Sequence, residues 1–288
     1  VTFVFYKFAF ESFRPVTVIF LRLIVSVPFI FIAAGILKKL QRPDKEDFGF
    51  LALLALLEPF FYFMGESYGL TYVSSTLAAV IVSTIPLVVP IAAFFAYREK
   101  LNVMNIIGLF ISFGGVLMVV LANDVDWGAT MKGVLLMFMA VFSAVGYAVL
   151  VKKLTHKYNG FTITVYQNLF GIFFFMPFFF WWDFDTFINT IPSWKSISAL
   201  LYLAIFGSSI TFILFTAGVR ELGASKANVF ANLIPVFAAF FSFLLLDEPM
   251  PSLKILGIVF VLTGLILTQI RRVKFRKVKT PPTIQFPG

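Results

Sequence analysis

The 288-residue chain contains no cysteine, a single histidine and few charged residues. The lack of cysteine excludes disulfide bonds, thiol catalysis and metal sites with thiolate ligands. Charged residues make up 13% of the chain, about half of the share that is usual in soluble domains. His156 has no second histidine with which to share a metal ion, and no glycine-rich phosphate loop is present. These absences argue against an enzyme, a metal centre and ATP hydrolysis.

Apolar residues dominate the composition. They make up 60% of the chain and include 40 phenylalanines, more than one water-soluble core can bury. The sequence therefore predicts an all-α integral membrane protein that has the lipid bilayer as its main partner and needs no cofactor. The net charge of +9 also fits nucleic-acid binding, but the basic residues lie in short loops and in the C-terminal tail. That distribution is typical of membrane topology signals rather than of a nucleic-acid interface.

Apolar runs of the length that a bilayer requires recur along the whole chain. A transmembrane helix needs about 20 mostly apolar residues. Ten such helices are predicted, at residues 1–10, 16–37, 48–68, 73–97, 103–121, 131–151, 161–181, 197–217, 224–246 and 253–270. The first run is too short to span a bilayer, and we expect about 15 residues of a truncated first helix to precede it.

One pattern occurs twice in these runs. Residues 69–115 and 218–264 align without a gap at an offset of 149 residues. The identical pairs are Gly69/Gly218, Ala78/Ala227, Ile85/Ile234, Pro86/Pro235, Phe94/Phe243, Glu99/Glu248, Gly108/Gly257 and Gly115/Gly264. The predicted organisation is a first repeat at 1–121, an outer linker at 122–130, a second repeat at 131–270 and a basic tail at 271–288.

Loop charges predict the orientation of the helices. Seventeen of the 23 lysines and arginines fall on one side of the membrane and five on the other. Because basic loops stay in the cytoplasm, we expect a multi-pass protein of the plasma membrane with both termini cytoplasmic. Five helices per repeat turn the second copy upside down. Inverted repeats are typical of secondary transporters, which bind substrate where the repeats meet, although channels and some membrane enzymes also contain repeats.

Several stretches resemble the EamA family of the drug/metabolite transporter superfamily. They are FLRLIVSVPF at 20–29, LAAVIVSTIPLVVPIAAFF at 77–95, and the repeated glutamate-containing turn with its GxxxxxxG pattern. The resemblance covers the chain except for the missing start of the first helix. It implies a ten-helix carrier that works by alternating access and is often an exporter of amino acids or related metabolites.

Arg22 and Glu58 lie well inside predicted helices. A charge at the centre of a membrane helix costs roughly 2.5–3.5 kcal/mol on insertion scales, so each needs a partner or a function. The guanidinium of Arg22 is suited to a substrate carboxylate, and Glu58 is suited to a substrate amine or a coupling proton. The alternatives are an internal ion pair between the two, or an Arg22 side chain that extends to the outer interface.

Tyr62 and Glu66 follow Glu58 at steps of four residues. The three are predicted to share one helix face, which should point into the bundle because lipid offers polar groups no partner. Tyr62 is a candidate for substrate binding and Glu66 a second candidate for proton coupling. The position of Glu66 near the outer end of its helix favours a simply solvated side chain.

Further polar and aromatic residues inside the predicted helices are candidates for substrate binding. They are Tyr147, Tyr166, Gln167, Asn168, Asn228 and Asn232. Gln167 corresponds to Arg22 in the other repeat at an offset of 145 residues, which fits a shared central cavity. The two asparagines of the ninth helix lie four residues apart and fit either substrate contact or a bridge between helices. Ordinary aromatic packing is an alternative for both tyrosines.

Pro86, Pro90 and Pro235 interrupt the fourth and ninth predicted helices. Each proline removes a backbone hydrogen bond and leaves a carbonyl group free. We interpret the three as candidate hinges whose free carbonyls line the cavity. Kinks without a hinge function are the alternative, because they are common in membrane helices.

The sequence thus favours a secondary active transporter that exports amino acids or small amphipathic metabolites by alternating access. A small-molecule substrate and a possible coupling proton are the expected ligands. A passive channel, and a membrane scaffold or sensor that does not transport, are the alternative functions.

Overall fold

The structure, a computed structural model, covers most of the chain. It describes residues 2–73, 75–99, 102–121, 130–234, 236–237, 240 and 251–269. Within these ranges the regular secondary structure is helical and no β-strand occurs. The predicted hinge at Pro235 and the basic tail at 271–288 lie outside the described residues.

We label the helices α1 to α10 in chain order. They are α1 (Thr2–Phe10), α2 (Pro15–Ile36), α3 (Lys45–Gly69), α4 (Ser75–Val82 and Ile85–Tyr97), α5 (Val103–Leu121), α6 (Met131–Thr155), α7 (Gly160–Ile188), α8 (Trp194–Leu222), α9 (Ala224–Val229, continued by a 3-10 turn at Phe230–Asn232) and α10 (Ser252–Gln269). In the described part of the chain, α2, α3, the Val80–Tyr97 part of α4 and α5 to α8 are seven helices long and apolar enough to span a membrane. The prediction of an all-helical, multi-pass membrane protein is confirmed.

Three of the long helices contain a short π-helical segment. These segments are Leu56–Phe61 in α3, Phe179–Asp183 in α7 and Leu203–Ile210 in α8. In α3 the interruption has an evident cause, because Pro59 has no N–H to donate and Glu58 adopts an extended backbone with φ −145° and ψ 116°. Such interruptions free backbone groups inside a bundle and are frequent at functional sites.

Helix α7 packs closely against the kink in α3, and a glycine of α7 leaves space for it. A Cβ atom on Gly171 would lie 2.7 Å from Cγ of Pro59 and 3.1 Å from Cδ1 of Leu23. Only glycine leaves space there for the proline ring. The Glu58–Pro59 kink is therefore packed directly against α7, in the interior of the bundle.

Four of the connections between helices lie at one end of the bundle, where polar side chains link them to one another. Lys157, after α6, forms an ion pair with Asp47 in the first turn of α3, with Nζ and Oδ2 2.8 Å apart. Glu99, after α4, contacts Lys152 of α6 and the start of α9. We call this end, which carries the α2–α3, α4–α5, α6–α7 and α8–α9 connections, the basic end.

Helices α5 and α10 pack against each other through glycines. A Cβ atom on Gly115 would lie 2.6 Å from the carbonyl oxygen of Gly257, and one on Gly108 would lie 2.6 Å from the carbonyl oxygen of Gly264. The glycines that the sequence repeats therefore let α5 and α10 pack closely. Small residues allow the two backbones to touch, which is a main source of helix association in a bilayer.

We expect Gly115→Ala to lower the unfolding temperature, since the new methyl group must push α10 away and overpacking of this kind costs about 1–3 kcal/mol. Gly114→Ala is the matched control, because a Cβ atom at Gly114 meets nothing within 4 Å. Thermal unfolding of the purified protein in detergent measures both. Equal unfolding temperatures for the two variants would contradict the packing.

Candidate functional site

The guanidinium of Arg22 lies at the meeting point of four helices. The side chain is 1% exposed, although it carries a full charge. Its Nε donates to Oγ of Ser208 in α8 at 2.7 Å, and its Nη1 donates to the hydroxyl of Tyr6 in α1. The guanidinium carbon also lies 4.4 Å from the centre of the Phe63 ring in α3. Gly207 leaves room for Nη2, which is 3.0 Å from where a Cβ atom would stand.

The ion pair considered between Arg22 and Glu58 does not form. Within the described residues, no carboxylate oxygen lies within 4 Å of a nitrogen of Arg22. An Arg22 side chain extended to the outer interface is also wrong, because the guanidinium is enclosed by the bundle. Two neutral hydroxyls and two aromatic rings stabilise the charge instead, which leaves Nη2 of Arg22 without a hydrogen bond to the described part of the chain.

Glu66 is buried rather than solvated. Its side chain is 5% exposed, and its Oε1 accepts a hydrogen bond from the hydroxyl of Tyr62 at 3.0 Å. These two residues share a helix face as predicted, because both lie in the regular turn that follows the π segment. The expectation of a solvated Glu66 is wrong, since α3 continues to Gly69 and α6 covers this face at Gly65.

Glu58 lies apart from the regular face of α3. Its extended backbone breaks the four-residue step on which the prediction of one shared face with Tyr62 and Glu66 depended. The side chain is half-buried, and in the described residues no hydrogen bond to its carboxylate occurs. It lies within electrostatic range of Arg22, Glu66 and Tyr147. A carboxyl group of this kind, inside the bundle and without a fixed partner, can take up a proton or a cationic group.

Gln167 and Tyr147 form a second polar contact inside the bundle. The hydroxyl of Tyr147 in α6 donates to Oε1 of Gln167 in α7 at 2.9 Å, and both side chains are buried. The Nε2 group of Gln167 is buried and has no hydrogen-bond partner in the described residues. A buried amide donor without an acceptor is unfavourable by roughly 1–3 kcal/mol. This atom is therefore directed at a place where a ligand or water would be stabilised.

Asn168 belongs to a polar seam between α2, α7 and α8. Its Nδ2 donates to Oγ of Ser26 and to the carbonyl oxygen of Ser208, each at 2.8 Å. Oγ of Ser26 also lies 2.7 Å from Oγ of Ser209. The carbonyl oxygen of Ser208, which lies in the π segment of α8, thus accepts a hydrogen bond from a side chain of α7.

Three of the predicted binding residues do not join this group. Asn228 donates to the carbonyl oxygen of Ala224 in its own helix at 3.0 Å. Asn232 donates to Oγ of Ser112 in α5 at 2.9 Å, so it bridges two helices, which was the alternative considered for it. Tyr166 is half-buried and packs edge-on against the ring of Phe48, at 5.7 Å between ring centres.

The prolines of α4 occupy different positions in the helix. The helix is interrupted at Ser83 and Thr84, and Pro86 begins the next helical segment while Pro90 lies inside it. The hydroxyls of Ser83 and Thr84 donate to the carbonyl oxygens of Val80 and Ile81, at 2.7 and 2.6 Å. The carbonyls of Val80 and Ile81 are thus satisfied within α4 itself, and the hinge function of the two prolines stays a prediction.

The polar interior, flanked by interrupted helices, belongs to a chain that matches a known family over nearly its whole length. The family model described as the EamA-like transporter family covers residues 1–121 and 131–270. The chain belongs to this family. Membership identifies a membrane transporter rather than an enzyme.

Relatives of this EamA-like chain are themselves named as transporters. The Bacillus subtilis protein named uncharacterized transporter YetK is 28% identical over 87% of this chain and 76% of its own length. An uncharacterized transporter of Archaeoglobus fulgidus is 25% identical over 93% of this chain and 92% of its own length. A solved crystal structure with 13% sequence identity superposes with a TM-score of 0.77 and covers 90% of each chain, which shows a shared fold.

Reasoning from the sequence of this EamA-like chain missed Tyr6, Ser208 and Ser26. Serines in membrane helices usually bond to their own backbone, so neither serine stood out from the pattern. The internal sequence repeat could have pointed to Ser208. At the offset of 149 residues, Gly207 and Ser208 correspond to Glu58 and Pro59, the residues of the kink in α3.

We expect Ser208→Ala to destabilise the EamA-like fold by about 1–3 kcal/mol, because it removes the acceptor of a buried, charged donor. The same change in an Arg22→Met background should have little effect, since the donor is then absent. Ser198→Ala is the control, because its hydroxyl is exposed and bonds only to Lys195 nearby. Thermal unfolding of the unaltered protein, Arg22→Met, Ser208→Ala and the double variant measures the coupling between the two residues. Additive effects of the two changes would contradict the coupling.

Proposed function

We propose that the protein is a secondary active transporter that exports amino acids or small amphipathic metabolites by alternating access. The observation that carries the proposal is the matched interruption of α3 and α8. At the offset of 149 residues, Leu56–Phe61 falls within Leu203–Ile210. Broken helices at corresponding positions of two halves are the best indication of a transporter binding site.

Contacts between α5 and α10 support two inverted five-helix repeats. In the sequence repeat, Gly108 corresponds to Gly257 and Gly115 to Gly264. In the structure the partners are exchanged, so that Gly108 meets Gly264 and Gly115 meets Gly257. Exchanged contacts of this kind are what a two-fold axis between two elements produces. The proposed architecture is therefore ten helices, with repeats at 1–121 and 131–270.

The polar interior supplies complementary charges for a zwitterionic substrate. Arg22 keeps Nη2 available for a carboxylate, since Tyr6 and Ser208 bind only its Nη1 and Nε. Glu58 keeps a carboxylate without a hydrogen-bond partner among the described residues, and Gln167 adds a free amide donor. Aromatic rings around these groups suit an apolar side chain. We propose that Glu58 also takes the coupling proton, with Glu66 and Tyr62 as its neighbours.

We further propose that the basic end faces the cytoplasm and that the protein resides in the plasma membrane. The excess of lysine and arginine in the connections of that end supports this orientation. The ends of α2 and α8 opposite to it carry Arg14 and Lys195, each close to an acidic residue, Asp183 and Glu11 respectively.

Transport by the purified protein in liposomes tests the proposal. We expect labelled neutral and aromatic amino acids to enter saturably, and unlabelled amino acid inside the vesicles to accelerate the entry. Flux that does not saturate and shows no acceleration would indicate a passive channel. No flux of any tested compound, with or without a pH gradient, would favour a scaffold or sensor.

We expect Glu58→Gln to abolish the stimulation of uptake by a pH gradient, because an amide cannot carry the coupling proton. Exchange of labelled for unlabelled substrate without a gradient should persist with a higher KM, because the amide still accepts a hydrogen bond from the substrate amine but no longer carries the charge. The matched control is Glu46→Gln, which changes an exposed residue in the first turn of α3. If uptake by the Glu58→Gln variant kept the same pH dependence, Glu58 would not be the residue that carries the coupling proton.

A further inference from the structure

Glu99 makes an unusual number of polar contacts for a residue between two helices. Its Oε1 lies 2.5 Å from Nζ of Lys152 at the end of α6. Its Oε2 accepts a hydrogen bond from the hydroxyl of Ser225 at 2.7 Å, and the N–H groups of Ala224 and Ser225 donate to the two carboxylate oxygens at 3.3 Å. One carboxylate therefore joins the end of α4 to the end of α6 and the start of α9.

The backbone on both sides of this contact is shaped to allow it. Arg98 closes α4 in the left-handed conformation, with φ 53° and ψ 31°, which turns the chain back toward α9. Gly223 precedes α9 with φ +85°, and a Cβ atom there would lie 2.9 Å from Oε1 of Glu99. A side chain at Gly223 would be strained and would also crowd the carboxylate.

The contact is shielded from water. The side chains of Glu99 and Lys152 are 16% and 19% exposed, and Nζ of Lys152 lies 4.8 Å from the centre of the Tyr97 ring. Partial desolvation alone would raise the pKa of the Glu99 carboxyl, but the hydrogen bonds from Lys152 and Ser225 outweigh it and lower the pKa. The carboxylate is thus ionised at neutral pH and strongly bound.

Beneath the contact lies a closely packed apolar layer. Its members come from four helices and belong to the main buried cluster: Ala93 of α4, Val151 and Leu154 of α6, Val219 of α8 and Ala224 of α9. Each of them is at most 1% exposed. Glu99 holds together three of the four helices that contribute to this layer.

We propose that Glu99, Lys152 and Ser225 form a clasp that keeps the basic end closed in this conformation and opens when the transporter exposes its interior to that side. The inference rests on the alternating access proposed above. It assigns to Glu99 the positioning of α4 against α6 and α9, which is separate from the substrate and proton contacts of Arg22 and Glu58.

The absence of cysteine from the chain allows a direct test that needs no substrate. Val219→Cys places one thiol in the apolar layer, on a helix that the clasp does not hold. Val18→Cys places a thiol in a fully buried position at the opposite end of the bundle. N-ethylmaleimide labels each thiol in purified protein in lipid nanodiscs. The labelling rate reports how readily the position of that thiol becomes accessible to solvent.

We expect Glu99→Gln to raise the labelling rate of Val219→Cys about tenfold, which corresponds to about 1.4 kcal/mol, because the charge-assisted hydrogen bonds are weakened. Lys152→Gln should raise the rate less, since the bonds to Ser225 remain. Glu221→Gln is the matched control, as the side chain of Glu221 is 78% exposed and lies near the same end. Labelling of Val18→Cys should stay slow in every background.

Two results would overturn the clasp. One is an unchanged labelling rate of Val219→Cys in the Glu99→Gln protein. The other is faster labelling of both thiols together, which would mean that Glu99 supports the whole fold rather than one end. Neither result depends on transport, so the clasp can fail while substrate exchange in liposomes succeeds, and the reverse.

Discussion

The interior of this protein depends on how one buried guanidinium is satisfied. In a bilayer a charged group finds no water, so it must find donors, acceptors or rings within the bundle. Arg22 of α2 meets this requirement with a hydroxyl from α1, a hydroxyl from α8 and an aromatic ring from α3. Four helices are thereby fixed around one charge. Because the two hydroxyls are neutral, the charge is stabilised without being cancelled.

The helix interruptions follow from the same constraint. A regular α-helix satisfies its own backbone and offers nothing to a ligand, whereas a π segment frees carbonyl groups. In the π segment of α8 the carbonyl oxygen of Ser208 accepts from Asn168, and its side chain accepts from Arg22. In α3 the interruption turns Glu58 away from the helical face that carries Tyr62 and Glu66. Polar contacts and broken backbone therefore occur together because each stabilises the other.

Most of the helices could be predicted from the sequence, and the contacts between them could not. Long apolar runs and loop charges indicate membrane helices because the bilayer imposes their length and composition. The polar residues of α2, α3 and α7 were found because charge and amide groups are rare in such runs. The extended backbone of Glu58 broke the four-residue step, so its face was assigned wrongly. Glu66 was placed in solvent because the sequence does not show that α6 covers it.

The two copies of the sequence repeat differ in chemistry at corresponding positions, and this difference determines what each contributes. Arg22 and Glu58, which carry the charges, both lie in the first repeat, and their counterparts Gln167 and Gly207 are neutral. Arg22 nevertheless lies against Gly207 and Ser208, so the second repeat provides the space and the acceptor for a charge of the first. A motion that separates the halves must then disturb the hydrogen bond of Arg22 to Ser208. The first repeat supplies both charges, and the second supplies the acceptor Ser208 and the amide of Gln167, so the proposed binding site draws on both repeats.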